Sequence, residues 1–134
     1  MKTTTSVLLL FLLIMGCNST KTAKTSDASL PKEAVRIAND SLEYEIIIMD
    51  IGFETYLNTI AKPMNFYSQE YYETKNRFYV TEWNIRARNP LRYRSDIYEN
   101  EIDYDFNVDY GLEVNYKLYN YFKFVEYKYR QRFF

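Results

Sequence analysis

Residues 34–49 read AVRIANDSLEYEIIIM, and this stretch decides the fold class. Its second half alternates side chains with a period of two, which is typical of an extended strand. One face of that strand would carry Leu42, Tyr44, Ile46 and Ile48. The residues at 39–41 are Asn, Asp and Ser, which favour a turn. The pattern therefore predicts a β-hairpin with strands over 34–39 and 42–49.

After the hairpin, the apolar residues change to helical spacing. Residues 53–61 read as a short helix. Ser68 can cap a longer helix that continues to about Arg88, and Pro90 stops it. The apolar stripe of this helix consists of Tyr72, Tyr79 and Trp83. We therefore predict that Trp83 lies in the core.

The last segment, 109–132, allows two interpretations, and a charged, loop-like stretch over 91–107 precedes it. Helical spacing connects Val114, Leu118, Phe122, Val125 and Tyr129. A strand-like alternation connects Leu112, Val114, Tyr116 and Leu118. We predict the helix and keep the strand as the alternative. The expected fold is α+β, with an N-terminal β-hairpin packed against two longer α-helices.

Composition limits the chemistry that this chain can perform. It has 15 Tyr and 9 Phe but 3 Gly, no His and one Cys, and its formal net charge is −1. Without histidine, the Ser-His-Asp and Cys-His arrangements cannot be built, and zinc sites with His or Cys ligands are not expected. We therefore assign no catalytic residue, no metal and no cofactor. Carboxylate chemistry or a Ser-Lys pair remains open to an enzyme of this composition, and no spacing indicates either.

The amino-terminal residues predict export and a lipid anchor. Lys2 precedes an apolar run over 7–15, which is the pattern of a signal peptide and is shorter than the roughly 20 residues that span a bilayer. The run ends in Leu-Ile-Met-Gly-Cys at 13–17, which resembles the bacterial lipobox and implies a lipidated Cys17. We expect a signal peptide at 1–16, the lipidated cysteine and a flexible tether at 17–32, and a single domain at 33–134.

The densest acidic run contains Asp96, Glu99, Glu101, Asp103, Asp105, Asp109 and Glu113. Asp103, Asp105 and Asn107 imitate the start of a calcium loop, which uses oxygen ligands at its first, third and fifth positions. Val108 stands where that loop needs glycine, and Val114 stands where it needs glutamate. A solvated acidic loop is therefore the favoured interpretation.

Basic residues form two clusters. The first contains Arg86, Arg88, Arg92 and Arg94 with Tyr93 between them, and the second contains Lys123, Lys128, Arg130 and Arg132. Guanidinium groups beside a ring suit an acidic ligand or an envelope protein as a partner. The favoured interpretation is that the first cluster neutralises the acidic run of the same molecule, and partner binding is the alternative. Nucleic acid is not an expected partner, because an exported protein does not meet it.

Several segments together resemble a family of small, tyrosine-rich lipoproteins of unknown function from Bacteroidota. They are Ile37–Ile46, Ser68–Gln69, Glu73–Arg77, Tyr79–Asn84 and Asp109–Gly111. The resemblance implies a cell-envelope address, and no catalytic or ligand residue is carried over from it. In such proteins, acidic residues directly after the cysteine often mark surface exposure. Here Lys21 and Lys24 precede Asp27, which indicates the outer membrane with the domain facing the periplasm.

The expected function is that of a membrane-tethered cell-envelope lipoprotein acting as a binding or structural module. The alternative is an envelope hydrolase that uses carboxylates. The membrane, through Cys17, and an envelope protein or acidic ligand are the expected partners.

Overall fold

The structure is a computed structural model that describes residues 35–42 and 44–134. Its strands are β1 (Val35–Asn39) and β2 (Tyr44–Ile48), and its helices are α1 (Phe53–Thr59), α2 (Gln69–Ala87) and α3 (Gly111–Tyr129). The α+β class, with an N-terminal hairpin and two longer helices, is confirmed. Cys17 and the predicted signal peptide and tether lie outside the described residues.

The hairpin is antiparallel and runs from the pair Val35 and Ile48 to the pair Asn39 and Tyr44. The second strand was predicted from residue 42, but Asp40–Leu42 form a turn of 3-10 helix instead. The Asn39 side chain explains this difference, because its Oδ1 accepts hydrogen bonds from both the Ser41 N–H, at 3.1 Å, and the Ser41 hydroxyl, at 2.5 Å. Such local bonds favour a turn over an extended backbone.

Helix α2 begins where the sequence predicts it. The Ser68 hydroxyl accepts a hydrogen bond from the Tyr71 N–H at 3.2 Å, which satisfies one of the free donors at the helix start. The predicted apolar stripe is buried, and Trp83 retains 4% of its accessible surface. The prediction that Trp83 belongs to the core is therefore confirmed.

Helix α3 is the centre of the domain and packs against β1, α1 and α2. The strand alternative for this segment was wrong, since the chain is helical throughout Gly111–Tyr129. The helical stripe buries Val114, Leu118, Phe122 and Val125. Burial on one side of a helix explains why the helical period prevails over the local alternation. Among the described residues, no helix is long and apolar enough to cross a bilayer.

The connection between α2 and α3, residues 88–110, contains no helix or strand, as predicted. It nevertheless contributes to the core, where Ile97, Tyr98, Ile102 and Tyr104 are buried. Its acidic residues remain at the surface. The segment is therefore a packed loop with a charged exterior.

A polar network lies inside this aromatic core. Asn76 on α2 and Asn115 on α3 are both fully buried. The Asn76 Nδ2 donates to the Asn115 carbonyl at 3.0 Å and to its Oδ1 at 3.1 Å. The Tyr104 hydroxyl donates to the same Oδ1 at 2.5 Å. These bonds fasten α2, α3 and the connecting loop to one another.

Candidate functional site

A groove of about 850 Å³ runs along β2. All five residues of β2 line it, together with Met49 and Asp50 that follow the strand. Because neighbouring side chains of a strand point to opposite faces, a cavity that touches all of them follows the edge of the strand. Within the described part of the chain, the sheet has two strands, so this edge carries unpaired backbone donors and acceptors.

The opposite wall of the groove is the loop over residues 96–103. Two side chains of α2 hold this loop by its backbone. The Trp83 Nε1 donates to the Asn100 carbonyl at 2.8 Å. The Asn84 side chain accepts from the Ile102 N–H at 2.8 Å and donates to the Ile102 carbonyl at 2.9 Å. The loop has no regular structure, yet these bonds fix its position relative to β2.

Three aromatic side chains, Trp83, Tyr121 and Tyr129, line the groove between its two walls. The Tyr129 hydroxyl hydrogen-bonds to both carboxylate oxygens of Asp50, at 3.0 and 2.9 Å. Burial raises the pKa of Tyr129, and the bond to Asp50 raises it further. The pKa of Tyr121 is also raised, chiefly by burial. Both hydroxyl groups therefore remain neutral near pH 7.

The groove is acidic. Of the described residues, its lining includes six carboxylates and no lysine or arginine; the acids are Glu45, Asp50, Asp96, Glu99, Glu101 and Asp103. Four of them pair with cations outside the lining: Glu45 with Arg36, Asp50 with Lys128, Asp96 with Arg94, and Glu101 with Arg88. Glu99 and Asp103 make no ion pair within residues 35–42 and 44–134. The negative charge of the groove is therefore only partly neutralised.

The first arginine cluster is partly used inside the molecule. Arg88 pairs with Glu101 at 2.8 Å, and Arg94 pairs with Asp96 at 2.5 Å. These bonds lower the pKa values of both Glu101 and Asp96. The predicted pairing with the acidic run is thus present for two of the four arginines. Arg92 lies exposed over the ring of Tyr93, 5.5 Å from its centroid.

Arg86 differs from the rest of that cluster, because only 7% of its surface is exposed. Its Nε donates to Glu82 at 2.8 Å, its Nη1 to the Tyr98 hydroxyl at 2.8 Å, and its Nη2 to the Arg132 carbonyl at 2.8 Å. Its guanidinium also lies 4.7 Å from the centre of the Phe133 ring. The structure therefore places Arg86 inside the fold, where it fastens the end of the chain to α2. Partner binding stays a prediction for Arg88, Arg92, Tyr93 and Arg94.

The calcium-like segment forms a local turn. The Asp105 Oδ1 accepts hydrogen bonds from the backbone N–H of Asn107 at 2.9 Å and from its side chain at 3.0 Å. Among the residues that the structure describes, no group of three or more carboxylates converges as metal ligands would. The features that can bind a partner are therefore the acidic, aromatic groove and the free edge of β2.

Sequence reasoning did not find this groove, because its walls are some fifty residues apart in the chain. The fold and the groove define a small α+β domain in which the free edge of β2 lies in the groove. The chain belongs to a family of unknown function, DUF6146, whose model matches residues 5–133. This match confirms the resemblance to an uncharacterised family. No curated protein and no solved structure matches the chain.

Proposed function

We propose that this protein is a membrane-tethered binding module of the cell envelope. Its groove would take an extended, cationic segment of another envelope protein, which adds a strand to the free edge of β2. The observation that carries this proposal is the position of that edge inside an acidic, aromatic groove. The structural alternative, a module that only connects envelope components, would need no such groove.

Strand addition suits the geometry of this groove. In that mode of recognition, main-chain hydrogen bonds supply affinity and alternate side chains supply specificity. The edge of β2 offers the main-chain groups, and the aromatic residues offer contacts to alternate side chains. The volume of 850 Å³ lies within the roughly 300–1,000 Å³ that ligand pockets usually have. Ile47 and Met49, beside the edge, are 41% and 64% exposed and would be covered by a bound strand.

The negative charge of the groove determines which class of partner it can bind. A segment with lysine or arginine at alternate positions would meet Glu99 and Asp103, whose carboxylates have no ion pair within the described residues. Complementary charge of this kind raises the association rate and disfavours acidic partners more than it raises affinity. The groove therefore favours basic segments and excludes acidic ones.

We expect neutralised groove acids to weaken the binding of a basic strand. The variant Glu99→Gln with Asp103→Asn should bind a short peptide alternating valine and lysine roughly threefold to tenfold more weakly, since each exposed pair contributes about 0.2–1 kcal/mol. A matched control is Glu54→Gln with Glu70→Gln, which removes the same charge from α1 and α2 outside the groove. Fluorescence anisotropy at low salt measures the affinities.

Amide hydrogen exchange shows where the peptide binds. Amides at the edge of β2 should exchange more slowly in the complex, because they gain hydrogen-bond partners. Equal weakening by the control pair would show that net charge alone drives binding. If the peptide binds only after Lys21 and Lys24 are replaced by Gln, the chain's own basic segment occupies the groove. Either outcome contradicts the proposed partner.

The membrane tether rests on the lipobox-like residues 13–17. Each buried methylene of an acyl chain contributes about 0.8 kcal/mol, and stable attachment needs more than one chain. A diacylglycerol thioether and an acylated amino group on Cys17 would meet that requirement. The residues after Cys17 would keep the domain close to the outer membrane on its periplasmic side.

The substitution Cys17→Ser is expected to abolish attachment. Without the thiol, no thioether forms, so radiolabelled palmitate should not enter the protein. The variant should accumulate as an uncleaved precursor or as a species released from membranes. Fractionation and the apparent mass measure both effects. A variant of mature size that stays in the membrane fraction would show that lipid on Cys17 is not the anchor.

The alternative of a carboxylate hydrolase gains no support from the geometry. A general acid of that chemistry needs a raised carboxyl pKa. Hydrogen bonds from Arg94 and Arg88 instead lower the pKa values of Asp96 and Glu101 on the groove wall. These two carboxylates are suited to ion pairing.

A further inference from the structure

A second pocket lies where the chain turns back after α3. It has a volume of about 570 Å³, and its lining includes Tyr79, Lys123, Glu126, Arg130 and Arg132. It shares no lining residue with the acidic groove. The two sites are therefore separate, and this pocket is independent of the proposed strand addition.

The pocket carries excess positive charge. Lys123 pairs with Glu126. Arg130 and Arg132 make no ion pair within the part of the chain that the structure describes. Among the lining side chains, three cations stand against one carboxylate. Two guanidinium groups and one ammonium group thus border a single cavity.

The segment that carries Arg132 is held in place. The Arg132 carbonyl accepts from the Arg86 guanidinium at 2.8 Å, and the next backbone N–H, that of Phe133, donates to Glu126 at 3.3 Å. The Phe133 side chain is buried against Tyr79 and Trp83. A site whose backbone is fixed in advance loses less entropy when a ligand binds.

Arg130 adopts a backbone conformation that glycine would adopt with less strain. Its φ is 54°, and it is the one non-glycine residue with positive φ among those described. The residue after a helix often takes this left-handed conformation, and glycine is the usual occupant. Non-glycine residues held in strained backbone conformations cluster at functional sites. Helix termination alone therefore does not explain why arginine, rather than glycine, occupies this position.

We propose that this pocket binds a phosphate group. Arg130 and Arg132 offer bidentate donors of the geometry that phosphate oxygens accept, and Lys123 adds a point charge. The exposed ring of Phe134 lies at the rim and can cover the apolar part of an organic phosphate or a phospholipid.

Titration of the full chain with inorganic phosphate, at constant ionic strength set by chloride, tests this site. We expect saturable binding that weakens about tenfold or more in Arg130→Gly and in Arg132→Gln, since each loses a charge-assisted contact. Arg130→Gly should keep or raise the thermal midpoint, because glycine relieves the positive φ. Arg77→Gln, which changes an exposed arginine outside this pocket and outside the first arginine cluster, is the matched control and should bind phosphate normally.

Vesicles distinguish the source of the phosphate. The double variant combines Arg130→Gly with Arg132→Gln. Binding to phosphatidic acid in phosphatidylcholine vesicles, competed by inorganic phosphate and lost in the double variant, would identify a lipid headgroup. Binding of inorganic phosphate without vesicle binding would identify a soluble phosphate compound. Absence of both, or unchanged binding in the double variant, would overturn the proposal. So would phosphate binding that the Arg77→Gln control weakens equally.

Discussion

Trp83→Ala should lower the free energy of unfolding by about 3–5 kcal/mol, which is the usual cost of deleting a buried tryptophan. The side chain is 4% exposed and packs against Tyr98, Tyr121 and Phe122. The change also leaves the Asn100 carbonyl without its indole donor. Domains of this size have a total stability of about 5–15 kcal/mol, so the loss is a large fraction of it.

Thermal and denaturant unfolding measure this effect. The midpoint should fall by at least about 12 °C, given the 4–8 °C per kcal/mol typical of small domains. Two variants separate the contributions. Trp83→Phe keeps most of the packing and removes the donor to Asn100, so it should cost about 1–2 kcal/mol. Ile85→Ala lies on an exposed part of α2 and should change stability by less than about 0.5 kcal/mol. A wild-type midpoint for Trp83→Ala would mean that the ring is not a core element.

Trp83 also connects stability to the proposed function. The indole lines the acidic groove and holds the loop that forms its far wall. Trp83→Phe should therefore weaken peptide binding even under conditions in which the protein remains folded. The core and the groove share this side chain, so the site cannot be altered there without loss of stability.

Periodicity explains why the elements were predictable from sequence. The alternation before Met49 and the apolar stripes of α2 and α3 are local patterns, and each period specifies one kind of secondary structure. The cap at Ser68 is local as well. The second strand begins later than predicted, because the Asn39 side chain stabilises a turn through Leu42.

The groove could not be predicted, because it depends on a contact between β2 and a loop about fifty residues further on. Periodicity in the sequence reports local secondary structure and does not show which distant segments come into contact. The burial of Arg86 did have a signal that was overlooked. Tyr79, Trp83 and Arg86 are spaced by four and three residues, which places all three on one face of α2. Arg86 was grouped with the partner-binding arginines because of its charge. Its position on the apolar stripe indicates the core instead.

The spacing that places Arg86 on the buried face of α2 also places Asn76 there. Asn76 lies four residues after Tyr72 and three before Tyr79, so it belongs to the apolar stripe of α2. Its Nδ2 is satisfied by Asn115, while its Oδ1 is buried with no partner among the described residues. A core that contains such groups loses stability if they are mispaired. The network therefore favours one alignment of α2 on α3 over others.

Asn115→Ala is expected to cost about 2–4 kcal/mol. The change removes the acceptor of the Tyr104 hydroxyl and one acceptor of Asn76, and an orphaned buried polar group costs about 1–3 kcal/mol. Burial already raises the pKa of Tyr104 to about 12, so its hydroxyl stays protonated near pH 7 and needs an acceptor. Denaturant unfolding measures the loss of stability.

A matched control lies on the same helix. Asn120 is also buried, and its Nδ2 donates to the Tyr116 carbonyl at 2.9 Å, just as the Asn115 Nδ2 donates to the Gly111 carbonyl at 2.9 Å. Among the described residues, Asn120 makes no side-chain bond to another element. Asn120→Ala should therefore cost less than about 1 kcal/mol.

The double-mutant cycle with Tyr104→Phe isolates the network. Once the hydroxyl is removed, Asn115→Ala no longer leaves it without an acceptor, so the double variant should be less destabilised than the sum of the single ones by about 1 kcal/mol. Strictly additive losses would show that the hydroxyl finds another acceptor when Asn115 is absent. The network would then contribute packing alone, and the alignment of α2 on α3 would depend on the aromatic contacts between them.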